Sequence, residues 1–189
     1  MMEKSLDGIR VAILVTNDFE RVELTEPRQA LEGAGAKTVI VSPQSGRLQS
    51  LNHDVKADLF DVDLTLDEAN PDDFDAVLLP GGVVNADGLR MVAKAQELVR
   101  RMNEAGKPIA VICHGPWVLV SAGLVRGRTL TSWPTLQDDI RNAGGNWVDS
   151  EVVCDENWVS SRGPRDLPAF NREMLSLFAE RGAKRWKAA

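Results

Sequence analysis

Cysteine and histidine are scarce in this chain of 189 residues, which holds two of each: Cys113 and Cys154, His53 and His114. With no metal-ligand spacing among them, neither a disulfide framework nor a zinc site is expected, and no metal is assigned. An excess of basic residues is lacking too. The 22 Lys and Arg stand against 28 Asp and Glu, a net charge of -6 with a sequence pI near 5.0. Binding to a nucleic-acid scaffold, which needs clustered cations, is therefore not expected. No apolar run approaches the roughly 20 residues that span a bilayer, and the opening MMEKSLDGIR has no apolar signal core. The expectation is a cytoplasmic protein without membrane contact, in a reducing compartment.

What is present is enough apolar material, 43% of residues, to bury the core of one domain spanning residues 1–189. Four short apolar runs stand out: Val11 to Val15, Thr38 to Val41, Ala76 to Leu79 and Ile109 to Cys113. Each is rich in branched residues and continuous, the pattern of strands covered on both faces. Helix-like stretches lie between them. Leu24 to Ala34 ends at Gly35, and Met91 to Ala105 ends at Gly106 before Pro108. A short helix is expected over Pro116 to Ala122, another near Leu136 to Ala143, and a last one over Leu167 to Arg181 with an apolar stripe suited to packing. Arg128 to Ser132 and Glu151 to Ser161 read as strands, and Arg47 to Asp58 as a hairpin on the sheet edge. Alternating strands and helices predict a three-layer α/β sandwich with a mostly parallel central sheet, flavodoxin-like in plan.

The run IAVICHGPWVL places Cys113 at the end of a buried strand and directly before a helix, with Gly115 allowing a sharp turn. This is the cysteine counterpart of the nucleophile elbow of serine hydrolases. Free N–H groups at the helix start favour a thiolate, and a lowered thiol pKa is expected there. The N–H of His114 and a second N–H from the Gly81-Gly82 turn, that of Gly82, are the candidate oxyanion donors. Cys154 follows two valines with no base or helix start nearby and reads as structural.

Two histidines leave little choice of base. His53 lies in the polar stretch LNHDVK and reads as a surface residue, whereas His114 adjoins the cysteine. Adjacent side chains diverge, so His114 needs a carboxylate to fix its ring, from this chain or from a second subunit. Glu20 and Asp87 follow the first and third strands, where the carboxyl ends of parallel strands converge. Asp18 and Glu23 read as surface residues, and chemistry alone does not decide between them and Glu20. An acid beside the sulfur is expected to stay protonated, because two adjacent negative charges disfavour each other.

At these residues the chain resembles the PfpI-like family, also called intracellular protease I, within the class I glutamine amidotransferase-like superfamily. The resemblance is carried in order by Asn17-Asp18-Phe19-Glu20-Arg21-Val22-Glu23-Leu24, Leu79-Pro80-Gly81-Gly82 and Ala110-Val111-Ile112-Cys113-His114-Gly115-Pro116. It continues through Ser121-Ala122-Gly123, Gly127-Arg128, Asn142-Ala143-Gly144 and Val159-Ser160-Ser161-Arg162 to Asp166-Leu167. It implies Cys113 as nucleophile, His114 as its partner, Glu20 as the acid contacting the cysteine, and Asp87 as a third member offered by a neighbouring subunit. The spacer before Asp87 is one residue longer than the family's usual one. The implied protein is a homodimer or higher oligomer that needs no cofactor. It would be a cysteine hydrolase or lyase acting on a peptide, a dicarbonyl or a glycated group in a stress setting.

Other readings have less support. Ammonia release from glutamine needs a histidine on a later strand, and none follows His114. Gly81-Gly82 and Gly106-Lys107 match no nucleotide-binding fingerprint. A non-enzymatic redox sensor or protective stress protein with an oxidisable Cys113 is the alternative to an enzyme. Arg162 reads as a partner of a surface carboxylate, and the five tryptophans as packing or interface residues.

Overall fold

In chain order the elements are β1 (Arg10–Leu14), β2 (Phe19–Glu20), α1 (Arg21–Gly33), β3 (Lys37–Ser42), β4 (Arg47–Asn52), β5 (Val55–Asp61) and β6 (Leu64–Thr65). They continue as β7 (Ala76–Leu79), α2 (Val83–Arg90), α3 (Ala93–Glu104), β8 (Ile109–Ile112), α4 (Pro116–Ser121), β9 (Thr129–Leu130) and α5 (Gln137–Asn142). The chain closes with β10 (Asn146–Trp147), β11 (Val152–Asp155), β12 (Trp158–Ser161) and α6 (Leu167–Ala188). The computed structural model describes residues 5–188.

Adjacent residues of the central strands feed opposite cores. In β1, Ala12 and Leu14 enter one cluster, while Val11 and Ile13 enter the other. β7 divides in the same way, Val77 and Leu79 against Ala76 and Leu78, and β8 divides Ile109 and Val111 against Ala110 and Ile112. Side chains alternate along a strand, so a continuous apolar run is what a sheet buried on both faces requires.

The main sheet has seven strands in the order β11-β12-β8-β7-β1-β3-β6. All its pairings are parallel except β11 with β12. Apolar residues of α1 and α6 cover one face, and those of α2, α3, α4 and α5 cover the other. The three-layer α/β sandwich and its flavodoxin-like, mostly parallel sheet are thus present.

Three local expectations change. The hairpin β4–β5 belongs to a separate three-stranded sheet with β2 and does not extend the edge of the main sheet. The stretch 151–161 is a hairpin rather than one strand, because Glu156 takes a positive φ of 51° and reverses the chain. Helix α2 has no counterpart among the expected elements: it starts directly at the Gly81-Gly82 turn, and its exposed Val83 and Val84, with Met91 just beyond its end, obscure the amphipathic pattern.

Candidate active site

The neighbours β8, β7 and β1 end side by side, and the segments leaving those three ends build one site. After β8 comes Cys113. Its φ of 60° is left-handed, a conformation that costs a residue with a Cβ about 1–3 kcal/mol and persists only where its surroundings enforce it. Here they do. The Cys113 N–H donates to Ser161 O at 3.0 Å, and the Cys113 carbonyl accepts from Trp133 N at 2.9 Å. Gly115 lies so near the end of β7 that a Cβ would sit 2.7 Å from Leu79 O. The nucleophile elbow at Cys113 is therefore formed, between two backbone anchors and one close approach.

After β7 comes the turn Pro80-Gly81-Gly82. A Cβ on Gly81 would sit 2.6 Å from Cys113 Cβ, so only glycine lets the turn reach the cysteine. The N–H groups of Gly82 and His114 both donate to the Cys113 sulfur. The two residues expected as oxyanion donors thus aim their N–H groups at one point. The turn is held by Asn85, which is fully buried. Its Nδ2 donates to Pro80 O at 3.1 Å and Gly81 O at 2.9 Å, and its Oδ1 accepts from Thr16 N at 2.8 Å.

After β1 come the acids, and here the expectation fails. The carboxyl hydrogen-bonded to the Cys113 thiol is that of Glu23, not Glu20. Glu23 lies in the first turn of α1, fully buried, and accepts from Gly81 N at 2.8 Å. Glu20 precedes the helix and turns toward the β4–β5 hairpin, where its Oε2 accepts from His53 N at 3.0 Å. The reason is helical geometry. The buried residues of α1 are Glu23, Leu24, Pro27 and Leu31, one face of a helix that begins three residues before the expected Leu24, so Glu23 shares the core-facing stripe. That spacing is the signal the sequence carries for it.

Burial pushes Glu23 up from 4.5 to about 8; the Cys113 and Gly81 hydrogen bonds pull against this, and the Glu20 charge adds to it. Glu23 is therefore a carboxylic acid over most of the neutral range. Burial also pushes the Cys113 thiol well above its ordinary value, with Glu23 adding to the rise and the Gly82 and His114 N–H groups opposing it. The expected lowered thiol is not found, because the sulfur is buried and the Glu23 carboxyl lies against it.

His114 Nδ1 lies 3.2 Å from Cys113 Sγ. Its ring stacks on Trp133 at 5.9 Å and meets Trp117 edge-on at 5.3 Å, and burial lowers its pKa to about 4. Among the described residues no carboxylate bonds this ring. Asp87 is exposed on α2, and the chain does not itself bring it to His114. Trp133 does more than pack: it is 37% exposed and also lines a cleft beside the site. Arg162 is engaged as expected, bonding Asp166 at 2.7 and 3.1 Å and Asp149 at 2.8 Å. The His53 side chain is exposed, and Cys154 is a free cysteine on β11. Among the described residues no group of three or more His, Cys, Asp or Glu could hold a metal ion, and no helix is long and apolar enough to cross a membrane.

Comparison with known proteins identifies the family of the chain. A model of the DJ-1/PfpI family matches residues 9–177. The chain is 46% identical over 170 residues to Deglycase PH1704 of Pyrococcus horikoshii, covering 89% of this chain and 99% of that protein. It is 40% identical over 169 residues to Protein/nucleic acid deglycase 2 of Escherichia coli, covering 89% and 96%. Among solved structures, DJ-1beta of Drosophila melanogaster superposes with a TM-score of 0.82 at 27% identity, covering 95% of this chain and 96% of that one.

Proposed function

The chain belongs to the DJ-1/PfpI family, and we propose that it is a cofactor-free cysteine enzyme acting on dicarbonyls and the early glycation adducts they form. The observation that carries this reading is the neutral carboxyl of Glu23 against the Cys113 thiol. Relatives named deglycases make activity on glycated groups the coarse expectation.

The chemistry is set by the charges. The thiol of Cys113 adds across an aldehyde, so that the S–C bond forms and the thiol proton ends on the carbonyl oxygen. Charge passing through sulfur and oxygen during this addition meets the N–H groups of Gly82 and His114. With a pKa of about 8, Glu23 is ionised in roughly one molecule in ten at pH 7, yet remains a competent acid, as a proton carrier near neutrality should be. It moves the proton from the aldehyde-derived carbon to the neighbouring one and so converts the hemithioacetal of methylglyoxal into a lactyl thioester. Water then releases lactate and restores the thiol. The sum is one dicarbonyl plus one water giving one hydroxy acid, with no outside oxidant or reductant.

Peptide cleavage fits less well. A leaving amine needs a proton, and His114 with a pKa of about 4 is protonated in roughly one molecule in a thousand at pH 7. A partner subunit's acid would raise that fraction. The exposed Val83, Val84 and Asp87 of α2, with Met91 just beyond its end, share one face, and we read this face as the seat of a second copy, which would carry Asp87 toward its partner's His114.

The test is methylglyoxal consumption and lactate release by wild type beside Cys113→Ala, in buffer free of Tris and added thiols. Loss of lactate release in the variant supports the proposal. Equal rates in both proteins refute it.

A further inference from the structure

On the far side of Trp133 from His114 lies a cleft of about 240 Å³ lined by His53, Trp133, Pro134, Arg162, Pro164 and Arg165. It adjoins the reacting centre through Trp133, whose indole stacks on His114. At about 30 Å³ per water molecule it has room for roughly eight waters, far more than a three-carbon dicarbonyl fills. The nucleophile, the oxyanion donors and Glu23 do not use this space.

The lining differs in what it can offer a ligand. Trp133, Pro134 and Pro164 form flat or apolar walls. Arg162 is committed, since its guanidinium bonds both oxygens of Asp166 and one of Asp149. Glu20 holds the backbone of His53. Arg165 is different: it is exposed, it sits at the turn before α6, and no carboxylate of the described residues pairs with it. A guanidinium at the edge of an apolar cleft, with its own acids taken by a neighbour, is suited to a planar two-oxygen anion.

We propose that this cleft is a substrate subsite for a carboxylate, in which Arg165 pairs the anion while the intervening aliphatic stem lies on Trp133. The proposal rests on the carbonyl-adduct reading above and narrows it. The favoured adduct is one on an amino acid or peptide that carries a carboxylate separated from the glycated nitrogen by an aliphatic stem, as in lysine. A free C-terminus and an acidic side chain offer the same chemistry.

Binding is measured by calorimetry with Cys113→Ser, so that no turnover is needed, using Nα-acetyl-lysine, its C-terminal amide, and an amidated Lys-Asp dipeptide. The expected result is about fivefold tighter binding of the free carboxylate than of the amide, the scale of one partly solvated charge-assisted pair. That preference falls to about one in the Cys113→Ser, Arg165→Gln double variant and is partly restored by Arg165→Lys. The dipeptide matching acetyl-lysine assigns the preference to acidic side chains as well; the dipeptide matching the amide restricts it to chain ends. Equal binding of carboxylate and amide, an unchanged preference in the Arg165→Gln protein, or no binding of any probe overturns the subsite. None of these results touches the lactate assay, so failure of the subsite and failure of the carbonyl reading are separable.

Discussion

Replacing Glu23 by glutamine removes one titration and leaves the shape nearly intact, so its effect on stability should depend on pH in a defined direction. In the folded chain Glu23 holds its proton to about 8, against 4.5 as its ordinary value. Between those values the folded chain binds a proton that the unfolded chain has released. Stability from this group is therefore full below about pH 4.5, declines as pH rises, and is gone above about pH 8. Each pKa unit is worth about 1.4 kcal/mol, so the decline from pH 5 to 8.5 is on the order of 4 kcal/mol. The Cys113 thiol, held well above 9.0, does not ionise in the folded protein over that range.

The assay is urea unfolding followed by circular dichroism at fixed protein concentration, from pH 5 to 8.5, on wild type and Glu23→Gln. The glutamine carbonyl can still accept from Gly81 N–H, so the variant should fold. Wild type should lose stability relative to the variant as pH rises, so the gap between the two curves moves by several kcal/mol in favour of glutamine. Parallel curves, with the gap constant to within about 1 kcal/mol, would show that Glu23 is an ordinary ionised carboxylate and would remove the basis of its role as proton carrier.

Asn85→Ala leaves Thr16 N–H and the Pro80 carbonyl without their Asn85 partner and the Gly81 carbonyl with only Glu20 N–H at 3.3 Å, with an expected loss of about 2–4 kcal/mol in the same unfolding assay. Asn85→Asp keeps the acceptor and loses both donors; it should lower kcat for methylglyoxal at least tenfold with KM little changed, and an unaltered kcat would mean that the turn holds without Asn85. Val84→Glu places a charge on the apolar face of α2 and should shift the sedimentation coefficient toward a single chain, whereas an unchanged value would mean that subunits, if they associate, use another face.

The central sheet is legible in the sequence because its strands are buried on both sides, and such burial writes itself as continuous apolar runs; Ala76 to Leu79 matches its strand residue for residue. The elbow is legible for a related reason, since a cysteine closing such a run ahead of Gly and Pro has few other uses. The acid is not, because a charged residue is taken for a surface one by default. Glu23 overrides that default by staying neutral, a condition that depends on Gly81 and Cys113, which are distant in the sequence. Asn85 escapes for the opposite reason: within VVNADG nothing marks an asparagine that will bond three backbone groups drawn from two strand ends. Trp133 reads as packing, and its stacking on His114 depends on the chain returning to the elbow after β9, where Trp133 N–H donates to the Cys113 carbonyl.

These misreadings share a cause that bears on the reaction itself. A thiolate–imidazolium pair would be recognisable as charges, whereas the resting centre formed by Cys113, His114 and Glu23 is neutral at pH 7. Neutrality suits addition to a carbonyl, where the S–H bond is consumed and an O–H bond formed without separating charge across the buried site. It suits amide cleavage poorly, because expelling an amine from a low-dielectric pocket requires a strong acid poised at the nitrogen. The burial that pushes Glu23 and Cys113 up and His114 down thus acts as a selector of chemistry. Restoring charge to the pocket should exchange one activity for the other, and a carboxylate delivered to His114 by a second copy is the means the fold leaves open, through Asp87 on α2.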